Sequence, residues 1–384
     1  MFEIKFYVCT FATILLDNNL ARMSNKFFLH FIYIFCFLFY GLSYSTNTLE
    51  KDESDDFDVN SMIMHHIMDS HDFHILDWNG HPVSVPLPII LWTENGLVTF
   101  MSSAFHHDDS GSIVVKRNGL SFVKYHEEIY YANSNKENKY IQLDASNHPT
   151  NHKPLDLSIT KLVFSMLLSM FIILTLFRLT ARSYAKSKNG EPVGIAKFTE
   201  PIILFIKDDV AIPFLGEEKA EKYVPFLLTL FFFIWINNIM GLIPIFPFSA
   251  NLSGNIAFTG VLAIITFVIT TIVANKDYWK HIFWMPGVPV PMKLFLAPIE
   301  FLGIFIKPVS LMIRLFANIS GGHIIVLSLI SLIFIFKSLW LAPASIFFSV
   351  FILIIEVLVV AIQAYIFTLL TALYIGSAME EHEH

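Results

Sequence analysis

The sequence predicts an all-α integral membrane protein of about five transmembrane helices, the last two long and strongly tilted, carrying a small extracytoplasmic N-terminal segment. Three observations predict it. Of the 384 residues, 55% are hydrophobic and 15% charged, against about 25% charged in an ordinary soluble domain. Beyond Leu157 the chain consists largely of long uncharged apolar runs. Before it, from Glu50 to Asp156, 17 acidic and 7 basic side chains account for the formal net charge of -7, the remainder being slightly basic. This composition excludes an ordinary cytosolic enzyme. Cys9 and Cys36 are the two cysteines, so a disulfide framework and a cysteine metal site are excluded as well.

Residues 1–45 read as a signal peptide, with Met23 as an alternative start. Met23-Ser-Asn-Lys26 supplies the polar n-region, Phe27 to Leu42 a 16-residue apolar run, and Ser43 and Ser45 the small residues of a cleavage site. An uncleaved anchor is the competing reading, weakened by a run shorter than the roughly 20 residues a span needs. Residues 46–157 form an acidic, His-rich, β-leaning segment with short alternating runs such as Ser112 to Val115 and Leu120 to Tyr125. It holds ten histidines, among them His65, His66, His71 and His74. On a helix, His71-x-x-His74 would bring two imidazoles to one face. No cysteine and no regular second ligand pair completes a site, so no metal and no cofactor is assigned.

Residues 158–379 form the membrane domain. Leu162 to Phe177, Pro225 to Phe248 and Leu252 to Ala274 carry no charge over 16, 24 and 23 residues. Each can cross about 30 Å of hydrocarbon, the first with Lys161 and Arg178 reaching to its edges. Lys293 to Lys337 and Ser338 to Met379 are longer, roughly 60 Å each if helical, and must tilt or bend, with Pro298 and Pro308 as places to do so. Basic residues cluster between Arg178 and Lys222 and again at Lys276, Lys280 and Lys293. Both connections are expected in the cytoplasm, giving five crossings from an exported N-terminal segment to a cytoplasmic tail at 380–384. Phe198 to Ile206, apolar between Lys197 and Lys207, fits a segment lying on the cytoplasmic membrane surface, with a plain loop as the alternative.

The chemistry lies in the last two stretches. An ionisable residue at membrane depth costs about 2.5–3.5 kcal/mol on insertion scales, so Glu300, Lys307, Arg314, His323 and Glu356 each need a partner, a water-filled cavity or a route to the surface. At about 100° per residue, Glu300, Lys307, Arg314 and Asn318 fall on one helical stripe and His323 on the opposite face. Glu300 and Lys307 read as an end-of-helix or intrahelical ion pair. Arg314, within Leu-Met-Ile-Arg-Leu-Phe, has no acidic neighbour in sequence and cannot deprotonate. Glu356, Gln363 and Tyr374 share a second stripe with Phe367 and Leu370, and Glu356 is the one charge between Lys337 and Glu380. Such a carboxyl is a candidate proton carrier, and His323 a candidate relay partner where the two helices pack.

Lys307-Pro-Val-Ser-Leu-Met-Ile-Arg314-Leu-Phe-Ala-Asn318-Ile-Ser-Gly-Gly-His323 resembles the signature of subunit a of the F-type ATP synthases. Glu356 through Gln363 and Tyr365 to Tyr374 resembles that family's last helix, and Asn237-Asn238-Ile-Met-Gly241-Leu-Ile-Pro244 its second span. The resemblance runs from about Thr160 to the C-terminus. It implies a stator subunit of the inner membrane that translocates protons but is not itself an enzyme. Arg314 would face a rotating c-ring and separate two aqueous half-channels. His323 and Glu356 would relay protons, the histidine standing first where many bacterial members have the reverse order. Gln363 and Asn318 would be polar partners at the ring interface, and Glu300 and Tyr374 candidate channel lining. The implied partners are the c-ring, the peripheral-stalk b subunits, the catalytic head indirectly and membrane lipid, with no nucleic acid. No phosphate-binding loop is present, so ATP binding is not expected. A stand-alone proton-coupled transporter is the alternative, disfavoured because no inverted repeat is visible. Nothing carries over to residues 46–157.

Overall fold

A computed structural model describes residues 68–78, 81–133, 140–144, 148–186, 191–243, 245–285, 287–336 and 339–380. The expected signal peptide, and His65 and His66, lie outside the described residues. Two compact units divide the chain, one comprising His66–Leu168 with Ile243–Ala250, the other carrying Ser169–Leu242 and Asn251–His384.

The first unit is built from antiparallel strands. β1 (Asp72–Trp78) pairs with β2 (His81–Pro86). β3 (Pro88–Thr93) lies between β4 (Gly96–Met101) and the short β8 (Leu155–Asp156). β5 (Val115–Arg117), β6 (Leu120–Tyr125) and β7 (Glu128–Tyr131) form a third sheet. Asn118 and Gly119, both at positive φ, make the two-residue turn from β5 to β6 that matches strand twist. Ile89, Leu91, Val98 and Phe100 meet Val115, Phe122 and Ile129 around a fully buried Phe105. The all-α expectation therefore holds for the described residues from Lys161 onward, while the described residues before it are built mainly on β-strands.

This unit also holds a buried charge network. Lys124, 2% exposed, has its Nζ 3.2 Å from Glu127, 3.7 Å from Asp72 and 3.9 Å from Asp109. The His71 ring lies 2.9 Å from Asp156 through Nε2 and 3.9 Å from Glu127 through Nδ1. Burial alone would push the imidazole down, but its hydrogen bond to Asp156 and the nearby Glu127 carboxylate prevail and raise it to about 10. Burial likewise pushes Glu127 up, and is outweighed by His71 and Lys124, which hold it at about 2. This corrects the reading of His71 and His74 as neighbours on a helix. His71 stands just before β1 and is buried, whereas His74 is in the strand and exposed, because strand backbone sends nearby side chains to different environments. Among the described residues no group of three or more His, Cys, Asp or Glu is arranged to hold a metal ion.

The helices begin at α1 (Lys161–Lys186), whose first backbone N–H groups donate to Ser70 O and to the Asp69 carboxylate. α2 (Ala196–Phe205) passes through a π turn (Ile206–Ala211) into α3 (Ile212–Leu215). α4 (Glu217–Leu242), α5 (Ile256–Val273), α6 (Lys276–Phe283), α7 (Val290–Ile335) and α8 (Ala342–Met379) follow. Five of them, α1, α4, α5, α7 and α8, are long and apolar enough to cross a membrane. Boundaries differ from the uncharged runs for local reasons. α4 starts eight residues before Pro225, so its first turns carry Glu217, Glu218, Lys219, Glu221 and Lys222. α5 starts at Ile256 because the Asn255 side chain accepts from Ala257 N and Phe258 N and caps it. α7 continues through Pro298 and Pro308 without ending at either.

Candidate functional site

On α7 the buried positions Ile304, Leu311, Leu315 and Ile319 define the edge that packs inward. With about 100° per residue, Arg314 and His323 fall on opposite flanks of that edge and Gly322 near its centre. The structure agrees, since both side chains are half-buried while Asn318 and Lys307 are exposed. On α8, Glu356, Val360, Gln363 and Phe367 are all buried and Tyr374 is half-buried, so the second polar stripe lies along the packed side of its helix. Of the two amides expected at an outer surface, Asn318 is exposed and Gln363 is not.

At the site, the Glu356 side chain of α8 packs against Gly322 of α7. A Cβ added to Gly322 would overlap Oε1 of Glu356 and come within 2.5 Å of its Cδ and 2.9 Å of its Cγ. The carboxyl therefore occupies the space that any other residue at 322 would fill. His323 is adjacent in sequence, yet among the described residues no hydrogen bond joins it to Glu356, and its Nε2 is buried without a partner. The expected pair is brought to one place on the helix interface, not bonded directly.

The ion pair expected between Glu300 and Lys307 does not form. Seven residues along a helix separate the two by about 10 Å, beyond the reach of a salt bridge. Lys307 Nζ instead lies 5.5 Å from the centre of the Tyr374 ring. Glu300 faces α6, where Tyr278, pushed up first by burial, is raised further by this carboxylate. Lys307 and Tyr374 thus meet between α7 and α8, and Glu300 is not part of that contact.

Several supporting contacts were not anticipated from the sequence, although Asn237 and Asn238 stand in the second-span motif. Ser253 donates to Asn238 Oδ1, and Ser320 of α7 donates to Gly254 O at 3.5 Å, tying the turn before α5 to both α4 and α7. Asn237, fully buried, donates to Phe233 O at 2.6 Å. At the other end of α8, Asn275 N donates to Ala378 O at 2.9 Å, while Asn275 Nδ2 and Lys219 Nζ donate to Met379 O at 3.1 and 3.2 Å. These groups satisfy carbonyls that a helix end leaves open. The Gly321-Gly322 pair beside a histidine was the visible signal for the close approach. The polar caps had none, because their partners are distant in sequence.

Intramembrane charges on two packed, unusually long helices within a five-span bundle define a multi-pass membrane protein of ion-handling type. The sequence model described as ATP synthase A chain matches residues 163–376, more than half of the chain. A second, described as a domain of unknown function (DUF8433), matches residues 62–157. An ATP synthase subunit a from Chloroherpeton thalassium is 41% identical over 235 residues, covering 60% of this chain and 69% of its own length. One from Chlorobium phaeobacteroides strain BS1 is 44% identical over 237 residues, covering 59% and 68%, and one from Anaeromyxobacter sp. strain Fw109-5 is 37% identical over 238 residues, covering 60% and 56%. The chain belongs to the ATP synthase A chain family.

Proposed function

We propose that this chain is the proton-translocating stator subunit of an F-type ATP synthase, forming two aqueous half-channels against a rotating c-ring. The observation that best supports this reading is the buried Glu356 carboxyl seated over Gly322, beside His323, with Arg314 on the opposite flank of the same helix. A titratable pair on one flank and a permanent cation on the other is the arrangement that two separate half-channels require. Protons would enter past Glu356 and His323, load a ring carboxylate, travel with the ring and leave on the cytoplasmic side. Arg314 would make each approaching ring carboxyl release its proton before it passes between the channels. Asn318, the exposed amide, would meet the ring with Gln363 supporting from within α8. Tyr374 and Glu300 would line the water-filled paths.

In this reading 158–379 is the membrane domain of an inner-membrane protein, α7 and α8 are strongly tilted around the ring, residues 46–157 are extracytoplasmic and the tail at 380–384 is cytoplasmic. The peripheral-stalk b subunits and the catalytic head would be its further partners. The family match over residues 163–376 supports it over a stand-alone transporter.

The test is Arg314. An ammonium beside the ring is a point charge that can lose its proton, and alanine removes the cation altogether. Reconstituted Arg314→Lys and Arg314→Ala complexes, matched for assembled subunit, are expected to lose proton-driven ATP synthesis. Near-normal coupled synthesis by the alanine variant would overturn the separator role.

A further inference from the structure

The strand unit carries an apolar face that none of that unit's described residues covers. β3 reads Pro88-Ile-Ile-Leu-Trp92, without the polar alternation of a strand that has one face in water. Its inward residues, Ile89 and Leu91, are buried in the core. Its outward residues continue across the sheet, since Trp92 is paired with Leu97 on one side and Leu155 on the other. Leu157 N donates to Ile90 O and Met101 is paired with Pro88, which extends the face by Ile90, Leu157, Pro88 and Met101, with the uncharged Thr99 opposite Ile90. Trp92 is 59% exposed, Leu97 and Leu155 about half, and no charged residue belongs to this face. The third sheet differs, because its outer Val123 and Tyr130 are covered by Ile141.

The position of this face in the chain identifies what it meets. Leu155 and Leu157 stand six and four residues before Lys161, the start of a membrane-crossing helix. At about 3.3 Å per residue, the whole face lies within roughly 20 Å of that start. Ile159 N donates to Pro88 O at 3.1 Å, so the sheet is hydrogen-bonded almost to the first turn of α1. The same compact unit includes the first turns of α1 and the connection Ile243–Ala250 that follows α4, and the ring of Phe73 contacts both Phe164 and Phe246, at 6.1 and 5.1 Å between centroids. The unit therefore contains both the start of one candidate crossing helix and the connection that follows another. Tryptophan and leucine on an uncharged surface are the side chains favoured at the lipid–water boundary.

We propose that the outer face of the β4-β3-β8 sheet rests in the lipid–water interface, making the strand unit a membrane-seated platform. The test uses the full chain with Cys9→Ser and Cys36→Ser, carrying an environment-sensitive fluorophore on Leu97→Cys, on Leu155→Cys or, as an aqueous reference, on Lys116→Cys, an exposed position of β5. The chain is reconstituted in phosphatidylcholine vesicles with or without brominated acyl chains. Probes at 97 and 155 are expected to emit at shorter wavelength than at 116, to be quenched about twofold or more by brominated lipid, and to be protected from iodide. Iodide quenching equal to that at 116 would overturn the proposal by placing the face in water. Protection from both quenchers would overturn it in favour of a protein cover, such as a second copy or another subunit.

Discussion

The side chain of Glu356 in α8 lies directly over the bare Cα of Gly322 in α7, in space that even a single added methyl group would claim. This relationship fixes how closely the two long helices pack at the candidate proton path. It also explains why a glycine precedes His323, without any appeal to backbone freedom.

Gly322→Ala is therefore expected to displace the Glu356 carboxyl. Overpacking of this kind costs about 1–3 kcal/mol, and a tenfold loss of rate corresponds to about 1.4 kcal/mol. Proton-driven ATP synthesis in membrane vesicles should fall severalfold or more, and Glu356→Asp in the same chain, which withdraws the carboxyl by one methylene, should restore part of it. A wild-type rate for Gly322→Ala alone would count against the fixed seat.

Glu356→Gln keeps volume and removes titration. Assembly is expected to persist while proton-driven synthesis slows across pH 6 to 8, by the roughly 10²- to 10⁴-fold range typical of a lost proton-transfer group. Undiminished activity over that range would assign the carboxyl a structural role.

The His71 network makes stability depend on pH in both directions. Glu127, at about 2 against an ordinary 4.5, contributes stability that is complete above 4.5 and lost as pH falls towards 2. His71, at about 10 against an ordinary 6.5, contributes stability that is complete below 6.5 and lost as pH rises through 10. Hydrogen-exchange protection of β1 and β8 in the full chain should be greatest between those limits. His71→Leu should lower it by about 1–3 kcal/mol, because Asp156 and Glu127 lose the imidazolium while Glu127 keeps Lys124 and Asp156 keeps Ser158. Unaltered protection in that variant would refute the stabilising role of the pair.

Asn275 and Lys219 close the C-terminal end of α8. Asn275→Ala should cost about 0.5–1.5 kcal/mol through the lost bond to Met379 O, and Lys219→Met a further 0.3–1 kcal/mol through loss of a cation at the negative end of the helix. Exchange of the amides from Leu373 to Met379 is the measurement. Equal rates in both variants and the parent would mean that water satisfies these carbonyls just as well.

The uncharged runs and the two polar stripes were legible in the sequence because they follow from local arithmetic. Hydrocarbon thickness sets the length of a span, and the helical repeat sets which of Glu300, Lys307, Arg314 and Asn318 share a side. The strand character of Leu120–Tyr125 was visible for the same reason, as a period of two. Tertiary structure alone decided the partners. Lys307 turns to Tyr374 and not to Glu300, since seven residues of helix hold those charges apart while packing brings α8 within reach. His71 and His74 share no face, because His71 precedes β1 and is held by Asp156 and Glu127, far away in sequence, while His74 lies within the strand. The seat of Glu356 over Gly322 exists only between two helices. Periodicity describes one element at a time, and each of these contacts depends on where a second element lies.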